Sequence, residues 1–222
     1  MAYTIILGNK VYSSWSLRGW LLMRPFGIPF DQKVIELHSP DFARFRDETP
    51  PALTVPTLLS RDGSDTLTVW DSLSIAEFLH ERHPEAGIWP ADPAARAAAR
   101  SLCAEMHSSY RPLRSTMPMN MRRQYRTFTP DVDAQADIAR ITLLWRWAKE
   151  RWGGGGPYLF GGNFTAAEAF YAPVASRFRT YGVKLDDASQ AYADAVLAHP
   201  ATAEFIDAAM RESWVSEKNE MD

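Results

Sequence analysis

The chain has 222 residues, of which 46% are hydrophobic, so it can bury a substantial core in one large domain or two small ones. With 24 basic and 27 acidic residues its formal net charge is −3, which supplies no global positive field and argues against nucleic acid as a partner. The single cysteine, Cys103, excludes an intramolecular disulfide and a cysteine-rich metal site, and fits a reducing compartment.

The start of the chain carries no targeting pattern. Met1-Ala2-Tyr3 leads directly into a short apolar run, without a basic segment or a long hydrophobic region before it. No stretch approaches the roughly 18 unbroken apolar residues that span a bilayer. We therefore expect a cytoplasmic protein that has no membrane partner.

The first third of the chain alternates strand and helix patterns. A compact apolar run from Tyr3 to Leu7 predicts a buried strand, and Lys33 to Leu37 predicts a second one. Apolar residues at helical spacing from Leu17 to Arg24 predict a helix between them. Because a helix joins the two strands, they should pair in parallel through a right-handed crossover.

A hairpin and two helices complete this region. Pro40 to Asp47 predicts a short helix. The runs Thr57 to Leu59 and Leu67 to Val69 flank Asp62-Gly63, a turn signal between antiparallel strands. Asp71-Ser72 then caps a further helix. The predicted order is β-α-β-α-β-β-α.

Beyond this region the patterns are helical. Three prolines punctuate residues 84–93, so we expect an α/β domain over 1–83, a linker over 84–93 and an all-helical domain over 94–222. The glycine run 153–156 lacks the Lys-Ser/Thr of a phosphate loop and indicates an interhelical loop. The predicted helices run from Ala94 to Ser108, Ile138 to Trp152, Phe164 to Arg179, Ala188 to Ala198 and Thr202 to Glu212.

A serine-rich turn, Ser13-Ser14-Trp15-Ser16, joins the first strand to the first helix. A helix N-terminus presents unpaired N–H groups and a partial positive charge, which stabilise an anion such as a thiolate. A serine hydroxyl there can add a hydrogen bond to the sulfur. Ordinary N-capping is the alternative, since serine is a preferred cap.

Two further sites could face a ligand. Pro56 stands where a strand should begin and cannot donate to a ladder, so Val55–Pro56 is a candidate cis bond that turns the Val55 backbone toward a ligand. A trans proline on an edge strand is the alternative. At another helix start, Ser72 suits a carboxylate and Asp71 an ammonium group, unless the pair acts as a cap alone.

Together these three sites resemble the glutathione transferase superfamily, and the resemblance covers nearly the whole chain. In the second half, Thr165 and Glu168 resemble the family's capping box, which we interpret as structural. The resemblance implies a thioredoxin-like βαβαββα domain followed by a helical bundle. It also implies glutathione as cosubstrate without a metal, and a homodimer.

The pattern Ser13-Ser14-x-Ser is most similar to the zeta class and its bacterial relatives. By this resemblance Ser13 activates the glutathione thiol, with Ser14 beside it as a second donor. Trp15 stands where members of the zeta class usually have cysteine, a departure that counts against the maleylacetoacetate isomerase activity of that class. Arg177 resembles a zeta-class arginine that holds substrate carboxylates, and a surface or interhelical ion pair is its alternative role.

The resemblance also assigns the rest of the glutathione site. Val55 and Pro56 would present backbone to the cysteinyl part, while Asp71 and Ser72 would hold the γ-glutamyl end. The carboxylate of the glycine residue of glutathione would be bound by His38 or by Lys10. For His38 the alternative is plain solvent exposure.

For the electrophile we consider a methionine-rich stretch and a basic one. Met106 and Tyr110 could line a pocket, as could Met117, Met119 and Met121, or all of them could pack between helices. A local basic region would favour anionic substrates or form a solvated face; it comprises Arg111, Arg114, Arg122, Arg123 and Arg126.

The predicted function is therefore glutathione transfer, in which a thiolate attacks a small electrophile held by the helical domain. Two alternatives stay open. One is glutathione-dependent cis–trans isomerisation of a maleylacetoacetate-type diacid, and the other is a non-catalytic binding protein of the same fold.

Overall fold

A computed structural model describes residues 2–125 and 127–221. The first part of the chain forms a four-stranded sheet with three α-helices. Its elements are β1 (Ala2–Gly8), α1 (Ser14–Leu21), β2 (Asp31–Ile35), α2 (Pro40–Glu48), β3 (Thr57–Asp62), β4 (Asp65–Trp70) and α3 (Ser72–Arg82). The predicted order β-α-β-α-β-β-α is confirmed.

The strands lie in the order β2-β1-β3-β4, with β1 parallel to β2 and both other pairs antiparallel. Strand β1 is interior to the sheet, which explains its almost continuous apolar sequence: Ile5 and Leu7 are fully buried. Strand β2 ends at Ile35, two residues before its predicted end, because the Leu37 N–H donates to Oδ1 of Asn9 at 2.8 Å and leaves the ladder.

The second part of the chain is helical. Its elements are α4 (Pro93–Ser108), α5 (Arg111–Thr116), α6 (Val132–Trp152), α7 (Ala166–Thr180), α8 (Asp187–Ala198) and α9 (Pro200–Met210). The sequence did not predict α5, since six residues are too few to show a helical period. The run 153–156 lies in the loop between α6 and α7, as expected. The domain limits at 83 and 94 stay a prediction.

Helix α7 forms the centre of the helical part. Fourteen of its fifteen residues are buried, and one continuous hydrophobic core runs from the sheet side of α1 to α8 and α9. Across this core the rings of Trp20 and Phe205 lie 5.8 Å apart, edge to face. Within the described ranges no helix has the length and apolar character needed to cross a bilayer.

The capping box at the start of α7 is confirmed. Oε2 of Glu168 accepts the Thr165 N–H at 2.8 Å and the Thr165 hydroxyl at 2.6 Å, while Oε1 accepts the Leu159 N–H at 3.1 Å. Glu168 is fully buried, and burial raises the pKa of its carboxyl while these hydrogen bonds oppose the rise. The box therefore ties the preceding loop to the most buried helix.

Replacing Glu168 with Ala should lower the free energy of unfolding by about 2–4 kcal/mol, because two buried N–H groups lose their acceptor. Denaturant titration measures this, with Glu150→Ala at the exposed end of α6 as the control. An equal effect of the two substitutions would contradict the structural role of the box.

Candidate functional site

The turn between β1 and α1 places a short chain of hydroxyl groups at the start of α1. Ser13 is the N-cap: its Oγ accepts the Ser16 N–H at 3.2 Å and donates to Oγ of Ser16 at 2.8 Å. Oγ of Ser16 also accepts the Gly8 N–H at 2.7 Å. Ser16, which the sequence did not single out as functional, thus holds the orientation of Ser13.

Ser13 faces a cleft of about 390 Å³ at the carboxyl ends of β1 and β2. The cleft gathers residues from all three predicted sites into one cavity. Its lining consists of Ser13, Trp15, Leu37, Phe42, Thr54, Val55, Pro56, Asp71 and Ser72.

The Val55–Pro56 bond is cis, as the sequence predicted. Oγ1 of Thr57 donates to the Thr54 carbonyl at 2.7 Å and closes the turn around it. Pro56 packs directly against α1 at Gly19, where a Cβ would stand 2.5 Å from Cβ of Pro56. Glycine is therefore required at position 19, where Pro56 meets α1, and Val55, next to Pro56, lines the cleft together with Ser13.

The third wall of the cleft is the start of α3. Asp71 is the N-cap at φ 72°, and its Oδ1 accepts the Leu73 N–H at 2.8 Å. Its other oxygen, Oδ2, accepts a hydrogen bond from Nε2 of His107 on α4 at 2.6 Å. The buried Ser72 hydroxyl has no hydrogen-bond partner among the described residues. His107, unforeseen from the sequence, therefore links the two parts of the chain at the cleft.

A second cavity of about 480 Å³ lies on the other side of Trp15, whose indole lines both spaces. It is strongly polar and carries no carboxylate in its lining. Its residues are Ser14, Trp15, Ser108, Ser109, Arg111, Arg114, Ser115 and Arg177. We call it the arginine cavity.

Positive charge accumulates around Trp15. The guanidinium carbons of Arg18 and Arg114 lie 4.4 Å and 4.7 Å from the centre of its ring. Arg18 is fully buried, and its Nε and NH1 have no partner among the described residues. Burial, reinforced by Arg114 and then Arg177, lowers the pKa of Arg18 to about 9, so it still carries its charge at neutral pH.

Arg177 adds a third guanidinium group. Its Nε donates to the Met117 carbonyl at 2.8 Å and its NH1 to the Pro173 carbonyl at 3.3 Å. Burial and the charge of Arg114 lower its pKa to about 10. Within residues 2–125 and 127–221 no ion pair involves Arg18, Arg114 or Arg177, and the positive charge that they share suits an anionic ligand.

Two family models account for most of the chain. That for the glutathione S-transferase N-terminal domain matches residues 12–82, and that for the C-terminal domain matches residues 133–208. The chain belongs to the glutathione S-transferase family. Among curated proteins it is similar to a probable maleylacetoacetate isomerase of Caenorhabditis elegans, with 27% identity over 169 residues, 74% of this chain and 75% of that one.

Solved transferase structures share the fold. A glutathione transferase homolog from Burkholderia, with bound glutathione, has a TM-score of 0.67 and 22% identity over 95% of this chain and 98% of that one. A maleylacetoacetate isomerase from Anaeromyxobacter dehalogenans, with bound GSH, has a TM-score of 0.68 and 23% identity over 92% of this chain and 94% of that one. The nine helices and mixed four-stranded sheet within the described residues are the transferase fold.

The structure separates the predicted site residues into two groups. Ser13, Val55, Pro56, Asp71 and Ser72 meet in the cleft. Ser14 and Arg177 line the arginine cavity instead, and among the described residues Arg177 makes no ion pair.

Two predicted glutathione-binding residues do not reach the cleft lining. His38 is exposed at φ 66°, in agreement with its alternative role. Lys10 is buried, with its Nζ 4.7 Å from the ring of Trp20 and 5.3 Å from that of Phe205, because the turn directs it toward α9.

The predicted electrophile residues other than Arg177 lie in the core. Met106 is fully buried, and the Tyr110 hydroxyl donates to Oε1 of Glu105 at 2.5 Å. The basic region divides: Arg111 and Arg114 line the arginine cavity, whereas Arg122 and Arg123 bind the C-terminal segment. Arg126 lies outside the described residues. The other three methionines predicted for the electrophile pocket, Met117, Met119 and Met121, are buried in the core.

Proposed function

We propose that the chain is a glutathione transferase in which the cleft binds glutathione and Ser13 stabilises its thiolate. The observation that carries this proposal is the convergence of Ser13, the cis Val55–Pro56 bond and Asp71-Ser72 on one cavity. The bound glutathione in a related Burkholderia structure supports the choice of ligand. In this arrangement Val55 presents backbone to the cysteinyl part, while Ser72 and the α3 N-terminus accept the γ-glutamyl carboxylate.

The chemistry requires a thiolate near neutral pH. Lowering a thiol pKa from about 8.5 by two units takes roughly 2.7 kcal/mol of preference for the anion. The start of α1 and one charge-assisted hydrogen bond together supply about that amount. The Ser13 hydroxyl, which donates to Oγ of Ser16 here, turns its proton to the sulfur when the ligand binds, and Oγ of Ser16 still accepts the Gly8 N–H.

The reaction then follows from the two cavities. The thiol proton leaves to solvent, the sulfur forms a bond to an electrophilic carbon held beyond Trp15, and the leaving group departs with its electron pair. The protein contributes orientation and stabilisation of charge. We assign the reaction to the cytoplasm and to the removal of reactive electrophiles, because a free thiol cosubstrate persists in a reducing compartment.

Replacing Ser13 with Ala should reduce turnover near neutral pH by roughly ten- to a hundred-fold, since it removes a hydrogen bond worth about 1.5–3 kcal/mol to the anion. The pKa of bound glutathione, followed by thiolate absorbance, should rise toward its free value, while glutathione affinity changes little.

Ser14→Ala is the matched control, because Ser14 lines the arginine cavity and not the cleft. If Ser14→Ala alone raises the thiol pKa, the activating role belongs to Ser14. If neither variant moves it, the serine mechanism is wrong. Wild-type protein that binds glutathione but turns over no aryl halide, peroxide or maleylacetoacetate would favour the non-catalytic alternative.

The arginine cavity specifically favours isomerisation of an unsaturated diacid as a second candidate. Here the thiolate adds to the double bond, the π electrons move to the conjugated carbonyl, the single bond rotates, and the thiolate is expelled again. Arg114 and Arg177 would hold the carboxylates. The similarity to maleylacetoacetate isomerases supports this reading, although Trp15 occupies the position of the usual cysteine.

Arg114→Gln distinguishes the two candidates. It should lower kcat/KM for a dianionic substrate about tenfold, the effect of roughly 1.4 kcal/mol, and leave that for a neutral aryl halide nearly unchanged. Arg140→Gln, which removes an exposed ion pair with Glu105, is the control. Equal losses on both substrates would contradict a carboxylate-binding role.

We also propose that two copies assemble through the open edge of the sheet. In the part of the chain that the structure describes, β4 pairs with β3 alone, and Leu67 and Trp70 on it are 50% and 41% exposed. Beside them, α3 and α4 form a groove that includes Leu73, Phe78 and Arg100. A second copy related by a two-fold axis would cover this apolar edge.

Light scattering should give a mass of twice the 25.1 kDa chain mass at micromolar concentration, and Trp70→Glu should lower the measured mass toward that of one chain. Leu143→Glu, on the exposed face of α6, should leave the mass unchanged. A monomeric wild-type protein would defeat the proposal, and an unaltered Trp70→Glu mass would place the interface elsewhere.

A further inference from the structure

The chain continues after α9 as a segment that contains one short 3-10 helix, Glu217–Asn219, and contacts the β1–α1 turn. Arg122 anchors its backbone: the guanidinium donates to the carbonyls of Glu212 and, at 3.2 Å, Trp214, and also to that of Ala209 in α9 at 3.4 Å. The segment, from Glu212 to Glu220, is thereby held beside the N-terminal domain, and we call it the C-terminal clasp.

In the first contact of the clasp, the Glu212 carboxylate accepts hydrogen bonds from two backbone N–H groups of the turn. Oε1 of Glu212 accepts the Lys10 N–H at 2.8 Å, and Oε2 accepts the Val11 N–H at 3.2 Å. Glu212 is partly buried, and burial raises the pKa of its carboxyl, while the two N–H groups and the Lys10 charge oppose the rise. Both oxygens are therefore engaged by the turn.

The second contact is made by Glu220 at the other end of the clasp. Its Oε1 accepts the Tyr12 hydroxyl at 2.7 Å and Nδ2 of Asn120 at 3.0 Å. Its Oε2 accepts Nε of Arg123 at 2.7 Å. Three successive residues of the turn, numbers 10 to 12, are thus bound by carboxylates about 200 positions later in the chain.

These three residues lead directly into Ser13. The Ser13 N–H donates to the Asn9 carbonyl at 2.8 Å, and the Met121 N–H donates to the Val11 carbonyl at 3.2 Å. The turn is therefore held by a hydrogen bond within itself, by Met121, and by the two carboxylates of the clasp. A displacement of about 1 Å at a reacting group can cost on the order of a hundredfold in rate, so the position of this turn matters to the chemistry at Ser13.

We propose that Glu212 is a positioning residue for the Ser13 hydroxyl, and that Glu220 assists it through Tyr12. This inference rests on the proposed thiolate-stabilising role of Ser13. The clasp lies outside the cleft lining, so its effect passes through the turn and not through contact with glutathione.

Glu212→Ala is the principal test. Hydrogen exchange of the Lys10, Val11 and Ser13 amides should accelerate at least tenfold, the pKa of bound glutathione should rise, and kcat should fall about tenfold with less than a twofold change in KM for glutathione. Glu212→Gln keeps one acceptor oxygen and should give an intermediate effect. The matched control is Glu217→Ala, an exposed carboxylate in the same segment.

Tyr12→Phe tests the second contact by deleting one hydroxyl, and it should produce a smaller shift of the same three quantities. A Glu212→Ala variant that is merely less stable, with unchanged thiol pKa and kcat, would overturn the proposal. So would unchanged amide exchange in the turn, which can be read even if wild-type protein fails to lower the thiol pKa. A wild-type protein that does not lower the thiol pKa would instead refute the proposed function.

Discussion

The burial of α1 is the constraint on which the rest of the structure depends. Seven of its eight residues are buried, and the one that is not, Trp15, forms the wall between the two cavities. On one side Gly19 admits Pro56 to close contact, and on the other the ring of Phe170 in α7 lies 5.1 Å from the Arg18 guanidinium. A helix held on both sides cannot shift without disturbing both parts of the chain, so its N-terminus is a rigid place for a reacting group.

The electrostatics of the site follow from that placement. The N-cap residues of α1 and α3, Ser13 and Asp71, both line the cleft, so the positive ends of two helix dipoles lie beside it. The one carboxylate in the cleft lining, Asp71, is already engaged by Leu73 and His107. Behind Trp15 the guanidinium groups of Arg18, Arg114 and Arg177 add positive charge at low dielectric. An anion is therefore favoured on both sides of the indole, although the chain as a whole carries a net charge of −3.

Much of the local structure was predictable because short-range signals determine it. The period of the apolar residues, the Asp62-Gly63 turn, the capping box of Thr165 and Glu168 and the serine at the start of α1 all act within a few residues of the chain. The family resemblance then related Ser13, Val55 and Asp71 to one another, and the fold brings them to one cavity. The six-residue helix α5 and the early end of β2 escaped prediction, because one is shorter than a readable period and the other depends on the Asn9 side chain.

The sequence by itself determined the order of the elements and the family. It also determined which residues stand at the starts of α1, β3 and α3, where the three predicted sites lie. Only the tertiary structure decided which side chains share a space. Ser13 and Ser14 are neighbours in sequence but line different cavities, and Lys10 turns to Trp20 instead of the cleft. Met106 and Tyr110 pack in the core, whereas Arg18, Arg114 and Arg177 meet around Trp15 from three different helices. These outcomes depend on packing between segments that lie far apart in the chain, and no local pattern of residues encodes the direction in which a side chain points once helices meet.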